Sequence, residues 1–147
     1  MFEPIGIVES NAIDKVDCDW GNVVSKIIIN ETLQSGLIGL DEFSHILVIF
    51  HLNESSFDID NHLTRRPQGR NDMPKVGIFA QRAKDRPNAL GVTAVQLLTI
   101  SNNIIEVQGL DAINGTPVLD IKPYYPAFDC MNATVPQWVD TLMVNYF

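Results

Sequence analysis

The sequence predicts a mainly β protein, a single-domain β-barrel of about seven short strands followed by one C-terminal helix. Three observations lead to this prediction. The chain has 147 residues, of which 46% are hydrophobic, and this suits one domain with one core. Short apolar or β-branched runs recur along the chain between turn signals. Only one segment, near the C-terminus, has the three- and four-residue periodicity of an amphipathic helix.

The predicted strands are short, apolar and bounded by turn residues. In chain order they lie at 5–9, 23–29, 46–50, 76–79, 92–98, 104–110 and 118–122. The run Ser101, Asn102, Asn103 predicts a hairpin turn, because asparagine tolerates the left-handed backbone of tight turns. A second turn is predicted at 114–117, and Pro123 ends the last strand. Closure into a barrel would leave no exposed strand edge.

The predicted C-terminal helix begins after Thr134 as N-cap, with Pro136 in its first turn. Its apolar face consists of Trp138, Val139, Leu142, Met143 and Tyr146. This face could cover an open end of the barrel, or it could dock onto a second subunit. The sequence leaves both alternatives open.

Charge is unevenly distributed along the chain. The net charge is −8, yet seven of the ten basic residues lie between positions 65 and 86, where Asp72 and Asp85 are the only acids, a local charge of +5. The segment is either a solvated basic loop or a surface for nucleic-acid phosphates. The candidate phosphate contacts are Arg65, Arg66, Arg70, Lys84 and Arg86.

Several functional classes are not supported by the sequence. Cys18 and Cys130 form no CxxC pair and are expected to be reduced thiols. The three histidines have no metal-ligand spacing, and the GxSxG, P-loop and GxGxxG motifs are absent, so no metal site, hydrolase, NTPase or Rossmann domain is expected. No apolar run is long enough for a membrane span and the start does not read as a signal peptide, so we expect a soluble, cytoplasmic protein without a membrane partner.

Two segments could carry chemistry, and each also has a purely structural interpretation. Between 77 and 92, Arg82 and Arg86 lie four positions apart and could bind a carboxylate or phosphate, or could simply be exposed charges on a turn. Between 109 and 124, Asp120 and Lys122 share one strand face. Asp111 could accept hydrogen bonds from ribose hydroxyls or an ammonium group, or could cap its own backbone in an Asx turn.

These segments belong to a set of motifs that resembles a known family. The motifs are GLDEFSHI at 39–46, GIFAQR at 77–82 followed by RPNALG at 86–91, and DAINGTPVLDIKPY at 111–124. In this order and spacing they resemble the TsaA-like, or YaeB-like, family, which includes the TrmO-type S-adenosylmethionine-dependent tRNA methyltransferases. The resemblance covers nearly the whole chain, and the domain is expected to span 1–147. Residues 17–22 differ from the Pro-Arg-Gln segment of many members, and Gln81 stands where threonine is common.

The resemblance implies a small β-barrel that binds S-adenosylmethionine and works as a homodimer. It also implies methyl transfer to the exocyclic nitrogen of threonylcarbamoyladenosine, beside the anticodon of threonine tRNA. A shorter member could instead methylate another RNA or a small molecule. The alternative class is a non-catalytic barrel that binds S-adenosylmethionine or a partner.

The resemblance also suggests individual site residues. The residues expected to contact the methyl donor are Asn53, Glu54, Arg82, Val92, Gln108, Gly109, Leu110 and Asp111. In this assignment Arg82 holds the methionine carboxylate, and Asp111 or Glu54 takes the ribose hydroxyls or the ammonium group. The candidates for orienting the acceptor or taking its proton are Asp120, Lys122 and Tyr124.

Overall fold

The computed structural model describes residues 1–14 and 16–147, which form a closed antiparallel barrel with a smaller ribbon beside it. The strands are β1 (Gly6–Glu9), β2 (Val24–Ile29), β3 (His45–His51), β4 (Thr64–Arg65), β5 (Val76–Gly77), β6 (Leu90–Ser101), β7 (Ile104–Gln108) and β8 (Pro117–Pro123). Six of them close the barrel in the order β1-β2-β7-β6-β3-β8, and β4 pairs with β5. The predicted mainly β barrel is confirmed. It is closed by six strands instead of about seven, and two further short strands form the separate ribbon.

Short helices lie in the connections and near the C-terminus. The α-helices are α1 (Ile59–His62), α2 (Pro126–Asp129) and α3 (Gln137–Met143). Single 3₁₀ segments occupy Glu31–Leu37, Leu40–Glu42, Pro67–Gly69 and Ile78–Ala80. No helix in the described ranges is long and apolar enough to cross a membrane.

Barrel closure depends on strands that pair on both sides. In β3, Val48 lies opposite Thr93 of β6 and opposite Ile121 of β8. At the seam, β1 pairs with β8, and Gly6 lies opposite Val118. Alternate residues of each strand point inward and form one core. The buried core residues are Val8, Ile27, Ile29, Ile46, Val48, Phe50, Val95, Ile105, Val107, Leu110, Ala112 and Val118.

The predicted hairpin between β6 and β7 is confirmed. Ser101 pairs with Ile104, so Asn102 and Asn103 form the loop. Asn102 has a φ of 55°, the left-handed conformation for which asparagine is suited. The Asn103 side chain donates a 2.7 Å hydrogen bond to the Ile29 carbonyl, which ties the turn to β2.

The connection from β3 to β6 forms an excursion outside the barrel, which we call the 53–89 excursion. Its two ends are joined by a 2.8 Å hydrogen bond from the Leu52 amide to the Ala89 carbonyl. The prediction of a strand at 76–79 is wrong beyond Gly77. The observed strand β5 ends there, and Ile78 begins a 3₁₀ segment. Ile78 is buried together with Met73, but neither belongs to the barrel core. The apolar run therefore fills a small core of the excursion instead of adding a barrel strand.

The C-terminal helix is present but begins later than predicted. Thr134 is not its N-cap, because α3 starts at Gln137 and Pro136, with φ −63° and ψ 150°, occupies the N-cap position. Beyond α3, the tail packs on its own chain, since the Asp19 and Trp20 amides donate 2.9 Å hydrogen bonds to the carbonyls of Asn145 and Tyr146. This favours the prediction that the C-terminal segment covers part of its own barrel.

The close approach of Gly91 to Phe50 gives a stability prediction. A Cβ atom at Gly91 would lie 2.5 Å from ring atoms of Phe50, whose side chain is buried in the core. We expect Gly91→Ala to lower the free energy of unfolding by about 1–3 kcal/mol, because the core must shift to admit the methyl group. Urea unfolding measures this.

Gly36→Ala is the matched control, because nothing lies within 4 Å of a Cβ at Gly36. It should leave the unfolding midpoint close to that of the wild type. Equal midpoints for the two variants would contradict the packing argument.

Candidate functional site

Asp111 lies just after β7, where the chain turns across one end of the barrel. Gly109 makes the turn with a φ of 95°, and its amide donates a 2.9 Å hydrogen bond to the Val23 carbonyl. Leu110 and Ala112 are buried on either side of Asp111, so the loop is anchored by apolar contacts. The Asp111 carboxylate is thereby held at the barrel end.

Both carboxylate oxygens of Asp111 accept hydrogen bonds from distant parts of the chain. The Thr93 hydroxyl donates to Oδ1, and the Tyr146 hydroxyl donates to Oδ2. Thr93 is a buried residue of β6, whereas Tyr146 follows α3. These are long-range contacts, so the Asx-turn alternative for Asp111 does not describe this side chain.

Arg82 joins the same group from the 53–89 excursion. Its guanidinium donates a hydrogen bond to the carbonyl of Val92, the residue directly before Thr93. We call Arg82, Val92, Thr93, Asp111 and Tyr146 the Asp111 cluster. It brings together three residues that the sequence predicted as one binding site, Arg82, Val92 and Asp111, although they lie in separate segments.

The Tyr146 phenol is a proton donor within this cluster. Burial, followed by the negative charge of Asp111 and the hydrogen bond to it, raises the pKa of Tyr146 far above its usual range. The positive charge of Arg82 acts in the opposite direction and is the smaller effect. The phenol is therefore protonated at neutral pH and donates to the carboxylate.

The C-terminal tail reaches the cluster by docking on residues 17–21. Trp20 is 3% exposed, and its indole Nε1 donates a 3.0 Å hydrogen bond to the Val16 carbonyl. A Cβ at Gly21 would lie 2.6 Å from the backbone carbon of Phe147, so only glycine allows this approach. A cleft of about 400 Å³ lies beside the docked tail, lined by Asp17, Cys18, Gln68, Arg70, Thr141, Leu142, Val144 and Asn145.

The remaining predicted donor contacts outside the Asp111 cluster include Gln108, Asn53 and Glu54. Gln108 donates a 3.2 Å hydrogen bond from Nε2 to the Gly21 carbonyl, which links the end of β7 to residues 17–21, on which the C-terminal tail packs. Asn53 and Glu54 are exposed and follow β3 after Leu52. They lie near the start of β6, because His51 pairs with Leu90.

The three predicted catalytic residues lie on and after β8. The Lys122 Nζ is 3.1 Å from Asp120 Oδ2, which confirms that the two side chains share a face. The Tyr124 amide donates to the His45 carbonyl at 3.1 Å. Partial burial, then the nearby Cys130, raises the pKa of Tyr124, so its phenol is better suited to donating a hydrogen bond than to accepting a proton.

Two arginines of the basic segment are paired with its only two acids. Arg65 Nη1 lies 3.6 Å from Asp85 Oδ2, and Arg70 Nη2 lies 2.6 Å from Asp72 Oδ2. Such partly exposed pairs stabilise weakly, and they lower the local positive charge. The side chain of Lys84 is exposed, and within the described ranges it has no ion-pair partner.

Two further arginines bond to backbone carbonyls within the excursion. Arg66 donates to the Met73 carbonyl. Arg86 donates at 3.0 Å and 3.2 Å to the carbonyls of Gln81 and Ala83. A guanidinium has five N–H donors, and both residues therefore keep donors and charge for a further contact.

Metal and disulfide chemistry have no site among the described residues. No group of three His, Cys, Asp or Glu side chains converges there, and Cys18 and Cys130 are exposed free thiols.

Comparison with known proteins identifies the family. The family model for the tRNA-methyltransferase O N-terminal domain matches residues 18–130. This chain belongs to that family. A crystal structure of TrmO superposes with a TM-score of 0.76 at 27% identity, covering 92% of this chain and 62% of that one. The resemblance seen in the sequence motifs is thereby confirmed, as is the barrel fold.

Two relatives show how the family domain occurs in other proteins. An S-adenosyl-L-methionine-binding protein of Archaeoglobus fulgidus is 33% identical in an alignment of 136 positions that covers 90% of this chain and 94% of that protein. A tRNA (adenine(37)-N6)-methyltransferase of Rattus norvegicus is 36% identical in an alignment of 149 positions, gaps included, that covers 93% of this chain and 33% of that enzyme. The chain thus spans about a third of the rat protein's length.

The sequence does not reveal one residue of the Asp111 cluster, Thr93, or the residue on which the C-terminal tail packs, Trp20. No sequence motif points to Thr93 or Trp20, and the helical periodicity assigns Tyr146 to an apolar helix face. A signal for Thr93 was available, because the period-2 alternation of β6 places it inward beside Gly91 and Val95. Nothing in the sequence pairs it with Asp111, 18 positions away.

The Tyr146 hydrogen bond predicts a specific loss of stability at alkaline pH. The folded-state pKa of Tyr146 is raised above the unfolded value of about 10, so its contribution is complete below pH ~10 and is lost as pH rises further. We expect the free energy of unfolding to fall less steeply above pH ~10 in Tyr146→Phe than in the wild type. Denaturant unfolding across this range measures the slopes.

Tyr125→Phe is the matched control, because it removes the hydroxyl of an exposed tyrosine outside the cluster. It should keep the wild-type slope. Identical slopes for wild type and Tyr146→Phe would show that Tyr146 is not held by Asp111 in solution.

Proposed function

We propose that this protein is an S-adenosylmethionine-dependent tRNA methyltransferase whose donor site is the Asp111 cluster. The observation that carries the proposal is the convergence of Arg82, Val92 and Asp111, from three separate segments, at one end of the barrel. The names of the relatives support it, since one is an S-adenosyl-L-methionine-binding protein and another a tRNA methyltransferase.

The chemistry of the cluster fits this donor. When bound, S-adenosylmethionine supplies a methyl group activated by its positively charged sulfur. The Asp111 carboxylate has about four acceptor positions and uses two of them for Thr93 and Tyr146. It therefore keeps capacity for ribose hydroxyls or an ammonium group. Arg82 supplies the cation for a carboxylate, through the guanidinium N–H groups that Val92 does not take.

The acceptor side of the site is proposed on the outer face of the barrel. Ile49 of β3 pairs with Val92 on one side and with Asp120 on the other, so Asp120 lies two strands, or about 10 Å, from Val92. We assign Asp120 and Lys122 to orienting the acceptor, with the Asp120 carboxylate as the candidate proton acceptor. Tyr124 is assigned to hydrogen bonding. The main task of the chain is alignment of the two reactants with exclusion of water.

We propose the exocyclic nitrogen of threonylcarbamoyladenosine, beside the anticodon of threonine tRNA, as the methyl acceptor. The family membership supports this choice, and another RNA or a small molecule is the competing outcome. The proposed RNA contacts are Arg65, Arg66, Arg70, Lys84 and Arg86 on the 53–89 excursion.

We also propose that the chain works as a homodimer. The outer face of β6 supports this, because Leu90 and Val92 are each 44% exposed beside the half-buried Ile49. Such an apolar surface next to a binding site is typical of a protein contact. Light scattering is expected to give twice the monomer mass of 16.4 kDa, and the monomer mass alone would exclude the dimer.

The proposed activity predicts donor binding and methyl transfer. Purified protein with labelled S-adenosylmethionine and unfractionated tRNA should label threonine tRNA. Arg82→Ala should weaken donor binding by roughly 1.5–3 kcal/mol, because a charge-assisted hydrogen bond is lost. Calorimetry measures the binding and nucleoside digestion identifies the labelled base.

Arg70→Ala is the matched control for donor binding, since the Arg70 guanidinium is paired with Asp72. It should leave the donor affinity unchanged. Donor binding without transfer to any RNA would favour the non-catalytic barrel, and absence of donor binding would exclude the enzyme.

The charge of the excursion predicts how salt affects RNA binding. Lys84→Ala should weaken tRNA binding and lower the slope of log affinity against log salt by about one, because one phosphate contact is lost. Filter binding at several salt concentrations measures the slope.

Lys26→Ala is the control, because Lys26 is exposed on β2, opposite Glu9 and Glu106. Its slope should equal that of the wild type. Equal effects of the two substitutions would mean that the excursion is not the RNA surface.

A further inference from the structure

The contact between the C-terminal tail and Asp111 goes beyond the residues that the family motifs suggest. Tyr146 lies 35 positions after Asp111 and reaches it from the C-terminal tail, whereas Thr93 reaches it from a buried position of β6. The two hydroxyls hold opposite oxygens of one carboxylate. This arrangement determines which way the carboxylate plane faces.

The orientation of the carboxylate needs such hydrogen bonds because the χ2 torsion of aspartate has only a weak preference of its own. The terminal torsion of an aspartate is broad, unlike the staggered torsions of saturated carbons. Two donors on different oxygens restrict that rotation. The lone pairs that remain unused then have a defined direction before any ligand arrives.

The tail itself is held by its backbone and not only by the Tyr146 side chain. The amides of Asp19 and Trp20 bond to the carbonyls of Asn145 and Tyr146 at 2.9 Å. Trp20 is almost fully buried, and Gly21 allows the close approach of Phe147. A tail anchored in this way places the phenol as a fixed part of the site.

We propose that Tyr146 is a positioning residue for the methyl donor: its hydroxyl, together with that of Thr93, sets the Asp111 carboxylate in the orientation that accepts the donor's hydroxyl or ammonium protons. This role rests on the proposed function. Preorganisation of this kind raises affinity because the cost of ordering the group is met before binding. The C-terminal segment thus completes the donor site.

The competing interpretation is that the phenol occupies a position on Asp111 that the donor must take. The two interpretations predict opposite effects of removing the hydroxyl. Positioning predicts weaker donor binding, and competition predicts tighter binding. The anchoring of the tail backbone favours positioning, since a displaceable occupant does not require it.

The test is calorimetry with S-adenosylmethionine on four full-length proteins: wild type, Tyr146→Phe, Asp111→Asn and the double variant. Tyr146→Phe keeps the ring and the backbone contacts and removes only the hydroxyl. We expect it to raise the Kd roughly fivefold to tenfold. In the Asp111→Asn background, Tyr146→Phe should have little further effect on the Kd, because the carboxylate that Tyr146 positions is gone.

Several results would overturn the role of Tyr146. An unchanged or lower Kd for Tyr146→Phe in a wild type that binds the donor would do so and leave the proposed function intact. So would equal, additive penalties in both backgrounds, because these indicate a general structural effect. Absence of donor binding by the wild type would instead overturn the proposed function and this role with it.

A second variant covers the case in which Tyr146→Phe does not fold. Thr93→Val replaces the other hydroxyl with a methyl group of similar shape inside the barrel. It should raise the donor Kd in the same direction, again with little further effect when Asp111 is asparagine. Val144→Ala, at a residue 71% exposed on the same tail, is the control and should bind the donor like the wild type.

Discussion

Closure of the six-stranded barrel is the constraint on which the other features depend. Because β3 pairs with both β6 and β8, and β1 with both β2 and β8, every barrel strand has neighbours on each side. The inward positions then face one another across a narrow interior, and most of them are filled by apolar side chains such as Val48 and Phe50. Most polar side chains therefore lie at the barrel ends, on the outer face and in the connections.

The Asp111 cluster lies at a barrel end, where a polar side chain occupies an inward position. Thr93 is buried at an inward position, and a buried hydroxyl without a partner would cost stability. The turn at Gly109 brings the Asp111 carboxylate to it. The same contact gives the Thr93 hydroxyl its partner and fixes one side of the Asp111 carboxylate, so it contributes both to the stability of the barrel end and to the geometry of the proposed site.

The basic segment has a structural role in the fold in addition to the RNA contacts proposed for it. In an isolated sequence its charge suggests only an electrostatic surface. In the fold, Arg66 and Arg86 donate to backbone carbonyls of an excursion whose own sheet has only the two short strands β4 and β5. Arginine suits both purposes, because a guanidinium can hold the backbone and still present its charge to a phosphate.

The sequence by itself determined the barrel, the hairpin at Asn102 and the family, because strand alternation, turn residues and local motifs are encoded by neighbouring residues. Through the resemblance it also predicted that Arg82, Val92 and Asp111 belong to one binding site, and the fold brings these three residues close together. Only the tertiary structure decided that Val76 starts a strand outside the barrel, that Arg86 turns inward and that Tyr146 meets Asp111. These contacts join residues that are distant in the chain, and no local pattern encodes a partner whose position depends on how the barrel closes.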